Sequence, residues 1–286
     1  MRKYFFLFIF VVAFLAGAYT QRVSVMDWYQ SLAEPVLPEP VEFVNVPKIS
    51  EQDVVKKDVA EEALEKKEEM PVQEETVVKE EEAFVIEPVV EEVRSFPASI
   101  NLAVAFTPQA PRGTWGEPYQ EGCEEASIYM VSQFFEGTPA GRINVDTADE
   151  ALLSIVSFEQ ELFGYYEDTN VEQTAVLAEM MFGYTGELIE NPTVDDIKAQ
   201  LVAGRPVLVP SAGRLLGNPY FTAPGPIYHM LVIRGYTDGK FIVNDPGTSH
   251  GEAYLYDFDT IMNAMHDWNN RGEITQGRKV VLVLNP

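Results

Sequence analysis

Cys123 is the only cysteine in this chain of 286 residues, and it stands where a loop should turn into a helix. The loop runs from Gly113 to Gly122, and the apolar run beyond it carries Ile128, Met130, Val131, Phe134 and Phe135. A thiol at a helix N-terminus meets the positive end of the macrodipole, which favours the nucleophilic thiolate. Such a residue fits nucleophilic catalysis if a base lies downstream. The competing reading is a buried cysteine that packs as a small hydrophobe. Glu124 and Glu125 fall in the first helical turn; they suit the dipole but oppose a thiolate through like charge. The thiol is therefore expected to depend on a histidine partner more than on the helix.

Three histidines are available: His229, His250 and His266. His229 opens a β-rich run to Tyr236, directly after Pro224-Gly225-Pro226. Asp238-Gly239 is a hairpin turn signal, and Phe241-Ile242-Val243 is the return strand, ended by Asn244-Asp245-Pro246-Gly247. Pairing through that turn sets the start of one strand beside the end of the other, so Asp245 is expected to reach the imidazole of His229. A carboxylate there would fix the tautomer and stabilise the imidazolium. His250 follows the Asp245 loop and reads as a solvated residue or a cleft lining. His266, near Trp268, reads as packing or surface. A metal site of His229, Asp245 and His250 has irregular ligand spacing and leaves the cysteine unused, so neither metal nor cofactor is expected. Trp115, Tyr119, Tyr220 and Phe221 are candidates for the walls of a substrate groove, and Asn218 to Gly225 for a rigid loop beside His229.

These residues need a helical half and a sheet half to hold them. The Cys123 helix should stop near Gly137 and Pro139. Thr147-Ala148-Asp149-Glu150 reads as a capping box for a helix that ends at Gly164. Asn170 caps a third helix stopped by Gly183, and Thr193 opens a fourth closed by Gly204. Strands follow at Pro206 to Val209, His229 to Tyr236, Phe241 to Val243, Ala253 to Tyr256 and Lys279 to Leu284, with one more helix from Phe258 to Trp268. Helices first and antiparallel strands after indicate an α+β domain. It is expected to span residues 96–286.

Upstream the composition changes. Arg2-Lys3 and the apolar run Tyr4 to Ala18 have the form of a signal peptide, with Ala16-Gly17-Ala18 as a small-residue cleavage site. An uncleaved N-terminal membrane anchor is the alternative; the run spans roughly 22 Å at ~1.5 Å per residue, short of a ~30 Å hydrocarbon core. No cysteine follows the run, so a lipoprotein is not expected. Residues 1–20 are assigned to this element and residues 21–95 to an acidic linker rich in Pro, Glu, Lys and Val. Between Glu34 and Arg94 nineteen acidic residues face seven basic ones, so about half of the net charge of -25 lies in that stretch. Such a segment buries too little apolar surface to offset its ordering entropy. It reads as a disordered spacer that holds the domain off a membrane or wall, or as a tail without a role. With no basic stripe interleaved with aromatics, nucleic acid is not an expected partner.

Four segments together resemble a known family: Thr107-Pro108-Gln109-Ala110-Pro111, Gly122-Cys123-Glu124-Glu125-Ala126-Ser127, Tyr228 to Tyr236, and Asn244-Asp245-Pro246-Gly247-Thr248. They are similar to cysteine peptidases related to the bacteriocin-processing, double-glycine-leader enzymes, and more closely to an exported stand-alone bacterial branch. The likeness covers Phe96 to Pro286. It implies a papain-like fold with Cys123 as nucleophile, His229 as base and Asp245 as orienting residue. It also implies a Gln oxyanion donor, for which Gln109 is favoured and Gln120, three residues before Cys123, is the alternative. The function expected is an exported thiol peptidase or amide hydrolase, secreted or tethered to the outer face of the cytoplasmic membrane. Its substrate would be a peptide, a protein or a peptidoglycan cross-link. The alternative is a non-catalytic cell-surface binding module that keeps the cleft.

Overall fold

The computed structural model describes residues 36–43, 95–269 and 273–286. The chain divides into a unit of residues 1–39 and one of residues 40–286, and the fold below is that of the second. The signal or anchor segment expected over residues 1–20 lies outside the described residues, as does most of the spacer. Residues 40–43, read as part of that spacer, join the fold. The Val41 N–H donates to Asn101 O at 2.7 Å, and the Ala103 N–H donates to Val41 O at 2.8 Å. The Phe43 ring packs against Phe134 and Phe135, with centroids 5.5 and 5.2 Å away. The folded chain thus draws in residues well upstream of Phe96. Among the described residues, no helix is long and apolar enough to cross a membrane.

One antiparallel sheet carries the domain. Its strands are β1 (Ile100–Asn101), β2 (Thr185–Glu190), β3 (Val207–Ala212), β4 (Tyr228–Thr237), β5 (Lys240–Asn244), β6 (Tyr254–Asp257) and β7 (Val280–Asn285). The order is β2-β7-β3-β4-β5-β6, with β1 also on β4. Strand β3 is buried at every position and β4 at all but its last. Strands that show no alternation have both faces covered, so they read as continuous apolar runs. Strand β2 was not expected: it lies between two helices in the half read as helical, and β7 is its partner.

The β4–β5 hairpin contains a bulge that matters for the site. Thr237, Tyr236 and Gly235 pair with Lys240, Phe241 and Ile242; beyond Arg234 the register shifts, and Ile233 and Val232 pair with Val243 and Asn244. Continuing the second register sets Asp245 opposite Leu231, on the face that His229 shares. Without the extra residue Asp245 would fall opposite Val232 and point to the other side of the sheet. The bulge is held from the far edge, where the Leu102 N–H donates to Arg234 O at 2.7 Å and Arg234 Nε donates to Leu102 O at 2.8 Å. Gly235 makes that approach possible, because a Cβ there would lie 2.2 Å from Ile100 O.

The helices are α1 (Cys123–Phe135), α2 (Val145–Phe163), α3 (Val171–Phe182), α4 (Val194–Val202), α5 (Gly213–Leu216) and α6 (Phe258–Ala264). Asn170 with Gln173 and Thr193 with Asp196 form capping boxes, and Gly164 and Gly183 end their helices in the left-handed conformation, as the sequence predicts. The box expected at Thr147 does not form. Asn144 caps α2 instead, accepting from the amides of Asp146 and Thr147 at 2.9 and 3.2 Å, so the helix starts earlier. Asp149 accepts from Arg112 Nε at 2.8 Å. Helix α6 stops at Ala264, short of Trp268, because the next residues turn to the end of β3: Met265 bridges Ser211, and the His266 N–H donates to Pro210 O.

Candidate active site

Cys123 is the first residue of α1 and follows a 3₁₀ turn over Tyr119–Glu121. Helix α1 is buried almost all round, and two of its side chains, one turn apart, straddle one residue of β4. The Met230 N–H donates to Cys123 Sγ at 3.3 Å, and Ser127 Oγ donates to Met230 O at 3.3 Å. Positions i and i+4 lie on one helix face, so the spacing of Cys123 and Ser127 seats the helix on the strand. The sulfur therefore lies against the residue that follows His229.

His229 is buried, with Nε2 at 2.8 Å from Asp245 Oδ1. The Phe221 ring and the imidazole meet in a T-shaped arrangement, centroids 5.5 Å apart. On another side Gly247 closes in, where a Cβ would lie 2.8 Å from Cε1 and 3.0 Å from Nε2. Asp245 is completely buried and saturated with donors. Besides His229 these are Asn218 Nδ2 at 2.9 Å, Tyr256 OH at 2.7 Å and the Gly247 N–H at 3.0 Å. Burial alone would raise the Asp245 pKa; the charge of His229 and the hydrogen bonds outweigh it and hold the carboxyl below its ordinary value. Burial and the neighbouring Asp245 charge drive the Tyr256 hydroxyl the other way, far above its usual range.

Gln109 ties these two parts together. Its Nε2 donates to Tyr119 O and Gln120 O, both at 2.9 Å, which holds the turn that leads into Cys123. Its backbone N–H donates to Pro246 O at 2.9 Å, in the loop that carries Asp245. Gln109 is buried beside Gly122, although fourteen residues separate it from Cys123 in sequence. Both of its side-chain hydrogens are engaged by carbonyls. Gln120 Nε2 reaches only Glu121 Oε1, at 3.1 Å on the surface. As the first residue of α1, Cys123 carries a backbone N–H that the helix itself cannot use.

The other expected residues are spread around this centre. Trp115 and Tyr220 are exposed, and Tyr220 stacks on the His250 ring at 4.3 Å. The Tyr119 hydroxyl turns to Asp149. Of the four groove candidates, Phe221 is the one whose ring meets His229. His266 Nδ1 lies 2.8 Å from Gly277 O, a packing role. Among the described residues, no group of three or more His, Cys, Asp or Glu side chains could hold a metal ion.

Two features were not anticipated. Asn218 and Tyr256 hold the Asp245 carboxylate, and only the closeness of Asn218 to His229 along the chain hinted at one of them. The second is a buried acid cluster. Cys123 Sγ donates to Glu124 Oε2 at 2.8 Å, so the hydrogen bonds of the thiol go to Glu124 and Met230, not to His229. Glu125 and Glu159 are buried with both carboxyl oxygens of each lacking an ordinary donor. Burial, then the Glu159 and Glu124 charges, push the Glu125 carboxyl well above its usual pKa, and burial raises that of Glu159 from 4.5 to about 7. Burial, then the Glu124 charge, push the Cys123 thiol well above its usual pKa, against the pull of the Met230 N–H. A helix buried almost all round carries its charged residues inward, which is the signal that could have revealed these acids.

Residues 101–275 match the family model described as the Peptidase_C39 like family. The chain belongs to that family. No curated protein matches the chain. Among solved structures it is similar to a C39-like peptidase from Bacillus anthracis, at 14% identity and a TM-score of 0.44, over 66% of this chain and 98% of that one. It is also similar to the peptidase domain of Streptococcus ComA, a bi-functional ABC transporter involved in a quorum sensing pathway. That match has 13% identity and a TM-score of 0.36, over 58% of this chain and 93% of the other. Membership of a peptidase family supports a cysteine peptidase function.

Proposed function

We propose that this protein is an exported thiol peptidase or related amide hydrolase that works by acyl transfer through Cys123, His229 and Asp245. The observation that carries the reading is the meeting on β4: the sulfur accepts from the Met230 amide at 3.3 Å, and the adjacent His229 is held by Asp245 at 2.8 Å. With Nε2–H donated to Asp245, the imidazole keeps Nδ1 free as a base. In the proposed reaction Nδ1 takes the thiol proton as sulfur bonds to the carbonyl carbon. The C–N bond then breaks, the imidazolium gives its proton to the leaving amine, and water hydrolyses the thioester. The oxyanion would be met by the Cys123 N–H and by Gln109, one of whose hydrogens must leave its carbonyl. The substrate is a peptide or protein, and a peptidoglycan peptide is the finer reading, supported by the signal-like residues 1–20 and the acidic stretch after them.

The alternative is a surface binding module with a retained cleft, and one observation favours it: the thiol is bonded to Glu124 instead of His229. The experiment that separates them is a substrate profile of the purified protein with peptides and peptidoglycan fragments, analysed by mass spectrometry for an acyl group on Cys123. Cleavage that is lost in Cys123→Ala and His229→Ala is the expected result. Binding of fragments without cleavage or adduct would overturn the hydrolase reading.

A further inference from the structure

We propose that Glu124 is a positioning residue for the nucleophile, holding Cys123 as a resting thiol from which the sulfur must exchange Glu124 for His229 before it attacks. The inference rests on the reading of Cys123 as nucleophile. Its geometry is that of a carboxylate surrounded by donors. Glu124 is buried, its Oε2 accepts the thiol proton at 2.8 Å, and its Oε1 accepts the Thr169 N–H at 2.9 Å. Burial pushes the Glu124 pKa well up, the thiol hydrogen bond opposes it, and the Glu159 and Asp168 charges add to it. We take the ionised form as the resting one, since both oxygens then accept from the two donors that face them.

The sulfur is thereby placed between two partners of opposite effect. The Met230 N–H favours a thiolate; the Glu124 charge disfavours it. Among the described residues, no other ionisable group around the pair offsets the second effect. Glu125 comes from α1, Glu159 from α2, Asp168 from the loop before α3, and Tyr228 from β4 beside His229. All but His229 are acids or a phenol. In its resting place the sulfur thus has no cationic neighbour except the imidazole to which it is not yet bonded. Exchange of partner moves one proton, from sulfur to His229 Nδ1, and leaves the Glu124 carboxylate with the Thr169 amide. The resting enzyme is then slow towards small alkylating reagents, and substrate binding is the event that makes the exchange productive.

The test uses the full chain and the single thiol. Thiolate absorbance and the rate of iodoacetamide labelling are followed against pH in the wild type, in Glu124→Gln and in Glu124→Ala, with Cys123→Ala as blank. Removing the charge should lower the titration midpoint by about one unit, which raises the thiolate fraction near pH 7 about tenfold. Because a less basic thiolate is also less nucleophilic, labelling should rise about threefold. A midpoint that stays put, even with stability lowered, would overturn the proposal, since a merely structural residue would not move it. If both variants fail to fold, the infrared S–H band of the wild type decides, because one cysteine gives one band. A band shifted to lower frequency than in the unfolded protein is expected; a band at the unfolded position would overturn it. An unmoved midpoint with turnover intact removes this inference alone, whereas a lowered midpoint in a protein without turnover removes the hydrolase reading and leaves the thiol–carboxylate partnership standing.

Discussion

His229 Nε2 lies 2.8 Å from Asp245 Oδ1, across sixteen residues of chain, because Arg234 inserts one extra position into the strand between them. The pair is buried, and among the described residues no other acid accepts a hydrogen bond from the imidazole. Asp245→Asn replaces a four-donor carboxylate by an amide with one acceptor oxygen. We expect turnover to fall by about 10²-fold or more, and stability at pH 7 by about 3 kcal/mol. The folded pKa of Asp245 is depressed, so its contribution to stability is present above the ordinary carboxyl range and lost as pH falls through the folded value. Urea unfolding at neutral and acid pH should therefore show the wild type losing its advantage over Asp245→Asn in acid. Equal stability of the two proteins at pH 7 would refute the assignment.

Gly247 leaves room for the imidazole. A methyl group there would sit 2.8 Å from His229 Cε1 and 2.9 Å from Phe221 Cε1. Gly247→Ala should keep the fold, read by circular dichroism, and lower kcat about 10²-fold by displacing the ring. Unchanged kcat would mean that the imidazole position does not matter to turnover.

Gln109 and Gln120 give opposite expectations. Gln109 carries three hydrogen bonds that join the Cys123 turn to the Asp245 loop, while Gln120 contacts only a surface glutamate. Single-turnover rates should fall roughly 10²–10³-fold in Gln109→Ala and hardly at all in Gln120→Ala. The reverse pattern would move the oxyanion donor to Gln120; no loss in either would remove both.

Glu159 makes the fold sensitive to pH in the opposite sense to Asp245. Burial raises its pKa from 4.5 to about 7. A carboxyl with a raised folded pKa stabilises the folded state below its unfolded value, and the benefit fades as pH rises through the folded one. The wild type should therefore lose up to ~3 kcal/mol between pH 4.5 and 7 from this group. In Glu159→Gln the urea midpoint should change far less over the same window. A wild-type midpoint that rises across it would contradict the buried acid pair.

Much of the fold is legible in local signals. Asn170, Thr193, Gly164 and Gly183 act within one helical turn, and Asp238-Gly239 sets its hairpin with no distant help. The Cys123, His229 and Asp245 positions follow from such elements. What escapes is decided by partners far along the chain. Strand β2 (Thr-Gly-Glu-Leu-Ile-Glu) has weak strand character and exists because β7 pairs with it. Phe43 enters the core through Phe134 and Phe135, and nothing near it in sequence announces that. The glutamates after Cys123 look like solvated first-turn residues until burial of almost the whole of α1 turns them inward. The Arg234 bulge has no sequence mark of its own, yet it selects the face on which Asp245 lies.

The Met230 amide stays in place whatever the sulfur does, because Ser127 clamps the same residue through its carbonyl. In the proposed reaction, sulfur expelled with negative charge from a thioester would return to a donor already aimed at it. Reset after each round of that reaction would then need no search by the backbone, and its last bond-breaking step would depart toward a fixed dipole instead of into an empty pocket.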